Sequence, residues 1–193
     1  MRSIYIFSVF LIVLFGCELF TTRTPEEPNG GSGSGWQFPN SPEHVILNLE
    51  NAFSIRSSLD YMRSFPTEED SSYSYVPDQQ TVNNKPAAFE GWGLRNEQAF
   101  SEALFSKSNL PLDSLVIVDF PIEQRTLLGD SATLSIQYSM HIGHVRSDLA
   151  REFEGRSELQ LWRSEDGGWI VRRWEDYRTS DLPCLSDLKA EFK

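Results

Sequence analysis

The side chains that could do acid–base or metal chemistry in this sequence are few and scattered. There are three histidines. His44 stands far from the others. His141 and His144 lie three apart in a stretch that alternates apolar and polar residues. In a strand that spacing turns the two rings to opposite faces, so they do not converge on a metal ion. Asp60-Tyr61 puts a carboxylate beside a phenol, with Asp60 better placed as a helix-capping acid and Tyr61 a candidate for a pocket wall. Glu175-Asp176 follows Arg172-Arg173, which reads as an ion-pair network on an exposed sheet face, with a catalytic carboxylate as the second reading. No glycine-rich phosphate loop, nucleophile elbow or metal-binding motif is present. Neither a metal nor another cofactor is expected.

The elements that must position these groups can be read from residue 41 onward. Ser41-Pro42-Glu43 starts a helix, with serine as cap and proline at the first turn. Val45, Leu49, Ala52 and Phe53 recur at helical spacing. Ser57-Ser58-Leu59-Asp60 opens a second, short helix, with Leu59, Met62 and Phe65 on its inward side until Pro66 ends it. Ser72 to Val76 alternates like a short strand, and Pro77 to Pro86 reads as a polar loop. Asn96 to Phe105 is helical, with Ala99, Phe100, Ala103 and Leu104 as its stripe. Four long strands follow: Leu112 to Arg125, Ala132 to Ile142, Phe153 to Trp162 and Trp169 to Tyr177. In the second, Leu134, Ile136, Tyr138, Met140 and Ile142 share one face. Glu165-Asp166-Gly167-Gly168 makes a tight hairpin. Leu185 to Phe192 closes with a short helix. Helices first and a meandering sheet after is an α+β layout.

The first residues read differently. Arg2 supplies one positive charge, and Ile4 to Phe15 is nearly all apolar. As a helix those residues would span about 18 Å, short of the roughly 30 Å hydrocarbon core. This is the pattern of a secretory signal. Leu14-Phe15-Gly16-Cys17 resembles the lipobox of bacterial lipoproteins. The resemblance implies cleavage before Cys17 and a diacylglyceryl group on its sulfur, with an acyl group on the new amine. Several chains hold stably where one holds only marginally. The other reading is an ordinary signal peptide with a coincidental cysteine. Glu18 stands where an Asp would retain such a protein in the inner membrane, so the resemblance leans toward the outer membrane. Residues 1–16 are thus expected to be a signal peptide, 17–40 a lipidated tether and 41–193 the folded domain. Asn29 to Gly35, NGGSGSG, is a flexible spacer. As a random coil the tether reaches about 27 Å on average.

Charge narrows the partners. The whole chain carries a net −11, and loss of the signal removes Arg2 and no acid. Such a surface repels phosphate backbones, which argues against nucleic acid. Of the two cysteines, lipid would consume Cys17. Cys184 then has no partner in the chain and is expected to be a packed small hydrophobe.

The paired N-terminal helices, a third helix ending Leu104-Phe105, and late strands carrying Asp166-Gly167-Gly168-Trp169 and Arg173-Trp174-Glu175-Asp176 resemble the NTF2-like (cystatin-like, SnoaL-like) superfamily, and its uncharacterised lipoproteins most. The resemblance covers about residues 41 to 180. It implies three N-terminal helices packed on a strongly curved, mainly antiparallel sheet, with a conical pocket between them. Tyr61, Trp92, Tyr138 and Trp174 are the expected pocket residues. Trp162, Trp169 and Phe120 join them in a sheet-rich core, and the aromatic excess suggests a homodimer through the outer face. The functional expectation is a lipid-anchored envelope domain, non-catalytic, binding a partner protein or a small apolar ligand. The alternatives are an isomerase, dehydratase or hydrolase of the same fold, and a structural oligomerisation module. If the lipobox reading holds, mass spectrometry of the mature N-terminus finds an acylated Cys17, and Cys17→Ala blocks processing or releases the domain. An unmodified N-terminus at another position would sink that reading.

Overall fold

The computed structural model describes residues 35–67 and 73–193. The expected signal peptide, Cys17, most of the expected tether and Ser72 lie outside the described residues.

Helix α1 (Pro42–Ile55) begins as the sequence dictates, at Ser41 with proline in its first turn. It ends at Arg56, whose φ of 57° is left-handed. The amides of Arg56 and Ser57 turn back onto the carbonyls of Phe53 and Ala52, and so satisfy the last helical acceptors. The Ser57 hydroxyl accepts from the Asp60 amide to start α2 (Ser58–Met62). Of the residues expected on the inward side of α2, Phe65 is buried and Met62 packs against the core, but Leu59 does not. Leu59 is 72% exposed, while Asp60, Tyr61 and the following Phe65 are buried. A helix of about one turn has no stripe of its own, and contacts from its neighbours set its rotation.

Strand β1 (Ser74–Val76) is followed by α3 (Gln79–Asn84) where a loop was expected. The Asp78 carboxylate caps α3 through the Gln80 amide. Only Thr81 of this helix is buried, so no apolar periodicity announces it. After a 3-10 turn (Pro86–Ala88) comes α4 (Leu94–Phe105). Its buried residues are Glu97, Phe100, Ser101, Leu104 and Phe105, whereas Ala99 is exposed. The real stripe runs one step off the expected one, and it carries a carboxylate. Three N-terminal helices were expected. Among the described residues, four α-helices and the 3-10 turn precede the long strands.

The sheet is mixed. Its order is β1-β6-β5-β4-β2, with β3 also on β4. Strands β2 (Val116–Asp119) and β3 (Ile122–Leu128) are one expected strand broken at Phe120-Pro121. Proline cannot donate to a ladder, and both pieces pair antiparallel with β4 (Ser131–Ile142). Strands β4, β5 (Glu152–Arg163) and β6 (Trp169–Tyr177) form antiparallel neighbours, and β1 joins β6 in parallel. Register shifts between Ile122 and Gln124 and between Gln160 and Leu161 are the local irregularities that bend and twist a sheet. Helix α5 (Leu185–Glu191) closes the fold.

The alternation expected for β4 holds, with Leu134, Ile136, Tyr138, Met140 and Ile142 buried. Phe53 links the layers. Its ring meets Tyr61 at 5.6 Å, Phe105 at 5.3 Å and Phe120 at 6.2 Å, all edge to face. Trp169 and Trp174 are core, but Trp162 is half exposed beneath the Arg172 guanidinium. The outward face carries polar pairs, among them the His141–Glu152 contact and the Arg173–Glu175 ion pair. Order reaches back beyond Ser41. The Asn48 amide group exchanges two hydrogen bonds with the Gln37 backbone, and the Trp169 amide donates to Pro39.

Gly155 of β5 faces Tyr138 of β4. A Cβ there would lie 2.7 Å from Tyr138 Cζ and 2.7 Å from the Tyr177 carbonyl, and closer still to the tyrosine oxygen. The glycine thus clears the path of the Tyr138 side chain. Gly155→Ala is expected to lower stability by about 1–3 kcal/mol through overpacking, read as a lower urea midpoint at unchanged slope.

Candidate functional site

Of the buried carboxylates, Glu97 and Asp176 each gather a full set of partners inside the fold, and the sequence reading assigned neither to the interior. Glu97 comes from the first turn of α4 and is fully buried. Its Oε1 accepts from the Tyr61 hydroxyl at 2.5 Å and from the Lys189 ammonium. Its Oε2 accepts from the Tyr73 hydroxyl at 2.9 Å and from the Trp92 indole at 2.8 Å. A carboxylate offers about four acceptor positions, and all are used.

Lys189 projects from α5 and is fully buried too. Rings surround its ammonium: Tyr75 at 3.9 Å, Trp174 at 4.6 Å, Phe100 at 5.5 Å and Trp92 at 5.8 Å. The negative faces of aromatic rings favour a cation at these distances. Burial pulls the Lys189 ammonium below the usual lysine range, and the neighbouring Glu97 charge opposes that pull. Burial, followed by the Glu97 charge, holds the Tyr61 and Tyr73 phenols well above theirs.

Asp176 is the second carboxylate. It was read as one of an exposed pair with Glu175, but strand alternation separates them. Glu175 faces out and binds Arg173 and the Tyr177 hydroxyl. Asp176 faces in, as Trp174 does, and is buried. Its Oδ1 accepts from Tyr138 at 2.7 Å and Ser157 at 3.3 Å. Its Oδ2 accepts from the Ser186 amide at 2.7 Å and the Ser186 hydroxyl at 2.6 Å. This set is complete as well. Having given its proton to Asp176, the Ser186 hydroxyl accepts from Tyr75 and from the Asp78 amide. The Tyr138 oxygen in turn accepts from the Leu185 amide. Burial, then the Asp176 charge, pushes the Tyr138 phenol far above the normal tyrosine range.

The expected pocket residues divide between these two polar centres. Tyr61 and Trp92 share Glu97, Trp174 flanks Lys189, and Tyr138 binds Asp176. The Trp174 indole N–H is buried without an acceptor among the described residues. Asp60 is buried and pairs with Arg63 at 3.1 Å. His141 is on the outer face with Glu152, while His144 is buried and donates Nε2–H to the Ala150 carbonyl at 2.7 Å. The two rings point apart, as their spacing dictates. No metal-holding cluster of His, Cys, Asp or Glu exists among the described residues. Cys184 is buried beside Thr81, and burial pushes its thiol up to about 12. An open groove of about 660 Å³ lies outside this centre, lined by Pro77, Val82, Pro86, Ala87, Phe89 and Glu90.

Glu97 and Lys189 were missed, though a signal existed. Positions 97, 100, 101 and 104 follow helical spacing, as do 185, 188, 189 and 192. A charged residue on each core stripe marks a buried pair.

No protein-family model and no curated protein matches the sequence. Solved structures do resemble the fold. An NTF2-like protein of unknown function from Shewanella oneidensis superposes with a TM-score of 0.50 at 13% identity, covering 70% of this chain and 95% of that one. An NTF2-like superfamily protein from Salmonella enterica gives 0.51 at 12% identity, covering 72% and 87%. The fold is NTF2-like. Identities this low establish architecture alone.

Removing one partner of a buried ion pair typically costs about 3–5 kcal/mol. Lys189→Met and Glu97→Gln are each expected to lose stability on that scale in urea. The double variant should recover part of the loss, and a double loss equal to the sum of the singles would mean that the two charges do not interact.

Proposed function

We propose that this chain is a non-catalytic NTF2-like binding domain, held at the cell envelope by lipid on Cys17, that takes a partner protein or a small apolar ligand. The observation that carries the reading is the saturation of the Glu97 and Asp176 carboxylates. A general base needs a lone pair within reach of a substrate proton, and an enolate or oxyanion needs a free donor. The acceptor positions of Glu97 and Asp176 are filled by this chain's own groups. The phenols of Tyr61 and Tyr138 are spent on those same carboxylates. Chemistry at either centre would first have to break this network. The open groove beside Phe89, mostly apolar in its lining, supports an apolar ligand or partner segment. The signal and lipobox in the sequence support the envelope, and Glu18 supports the outer membrane.

The test is native mass spectrometry of the mature protein, extracted from its own membrane in mild detergent. A stoichiometric small molecule or protein that remains chemically unchanged on incubation is the expected result. Conversion of the bound species, abolished by Asp176→Asn, would instead support an isomerase, dehydratase or hydrolase. A protein that emerges bare and dimeric by light scattering would point to a structural module.

A further inference from the structure

We propose that Glu97 and the rings of Tyr75, Trp92, Phe100 and Trp174 form a binding site for a primary alkylammonium ligand, held shut by the chain's own Lys189. The inference rests on the non-catalytic binding reading above and changes its ligand from purely apolar to one with an apolar stem and a cationic head. Its basis is the division of parts. The carboxylate comes from α4, its neutral donors from α2, from the residue before β1 and from the turn before α4, and the rings from β1, β6, α4 and that same turn. Only the ammonium comes from α5. Without Lys189 the Glu97 carboxylate still accepts from Tyr61, Tyr73 and Trp92. The socket is built by the body of the fold, and Lys189 occupies it as a ligand would.

Two observations bear on how an outside ligand gains it. Phe89 lines the open groove and packs against Trp92 at 5.2 Å and Tyr75 at 6.0 Å, two walls of the socket. Groove and socket thus share a partition of three rings. Lys193 binds the Ala88 carbonyl at 2.8 Å and lies 5.6 Å from the Trp92 ring, so the segment after α5 lies beside that partition. The ligand has a compact ammonium, which the single Glu97 carboxylate pairs with, and an alkyl stem, which the rings bury. Binding exchanges one ammonium for another, so the charge of the interior does not change, and α5 moves outward to make room.

The probe is n-butylamine at neutral pH, with 1-butanol as its neutral match, tested on the full chain as wild type and as Lys189→Ala. The variant is expected to gain thermal stability saturably with butylamine and not with butanol, and to bind the amine at least tenfold tighter than the wild type. In the wild type, butylamine is expected to speed deuterium uptake across residues 185–192 while leaving β4 and β5 protected. If Lys189→Ala does not fold, the wild-type exchange decides alone. Equal effects of amine and alcohol on the variant, or α5 exchange indifferent to the amine, overturn the proposal. If a ligand that is not an amine is retained by the extracted protein while these arms are negative, the binding reading stands and this inference fails. If the extracted protein is bare but the amine arms are positive, the socket stands and the natural ligand was lost in extraction.

Discussion

Glu97 and Lys189 face each other where water does not reach, and two charges can stay there only if everything around them is in place. Desolvation costs several kcal/mol per ion, and attraction offsets it only with good geometry and full hydrogen bonding. The geometry here draws on distant parts of the chain. Tyr61 is delivered by α2, Tyr73 leads into β1, Trp92 ends the turn before α4, and Trp174 lies in the middle of β6. Helix α5 must be docked before the cation arrives. The pair therefore ties helices, sheet and closing helix into one condition, which a purely apolar core would not impose.

Asp176 works at the other end of the same helix. The first amides of a helix lack internal partners, and α5 finds them in the Asp176 carboxylate and the Tyr138 oxygen. Asp187 ties the same end outward, accepting from Thr81 and Arg178. Tyr138 can cross the sheet's inner face only because Gly155 carries no side chain. A pocket between helices and sheet was what the resemblance implied. Here two polar centres and the side chains of α5 fill it.

Much of the sheet was legible because strand periodicity is simple. The inward row of β4, the Asp166-Gly167-Gly168 turn, the limits of β6, the closing helix and the burial of Cys184 all follow from alternation, turn chemistry and size. What escaped was polar and inward. Glu97 and Lys189 look like solvated helix residues until their spacing to Phe100, Leu104, Leu188 and Phe192 is noticed. Asp176 reads as exposed beside Glu175, yet two steps from Trp174 it must share that residue's face. Leu59 misled because α2 is too short to show its own stripe. Helix α3 was hidden because packing, not amphipathicity, holds it. The expected pocket residues divide between two polar centres, Tyr61, Trp92 and Trp174 at Glu97 and Lys189 and Tyr138 at Asp176, whose charged members come from positions that hydrophobic patterning treats as surface.

Gly155 and Tyr138 also bear on how this sequence can drift across generations. A larger residue at 155 displaces the phenol, which then leaves Asp176 and the Leu185 amide short of a partner. A loss at 97 strands the charge at 189, and the reverse. Each single step passes through a protein weakened by a large part of an ordinary domain's 5–15 kcal/mol. Such positions are inherited as sets: they stay fixed together, or change together in lineages that have found another way to seat the closing helix.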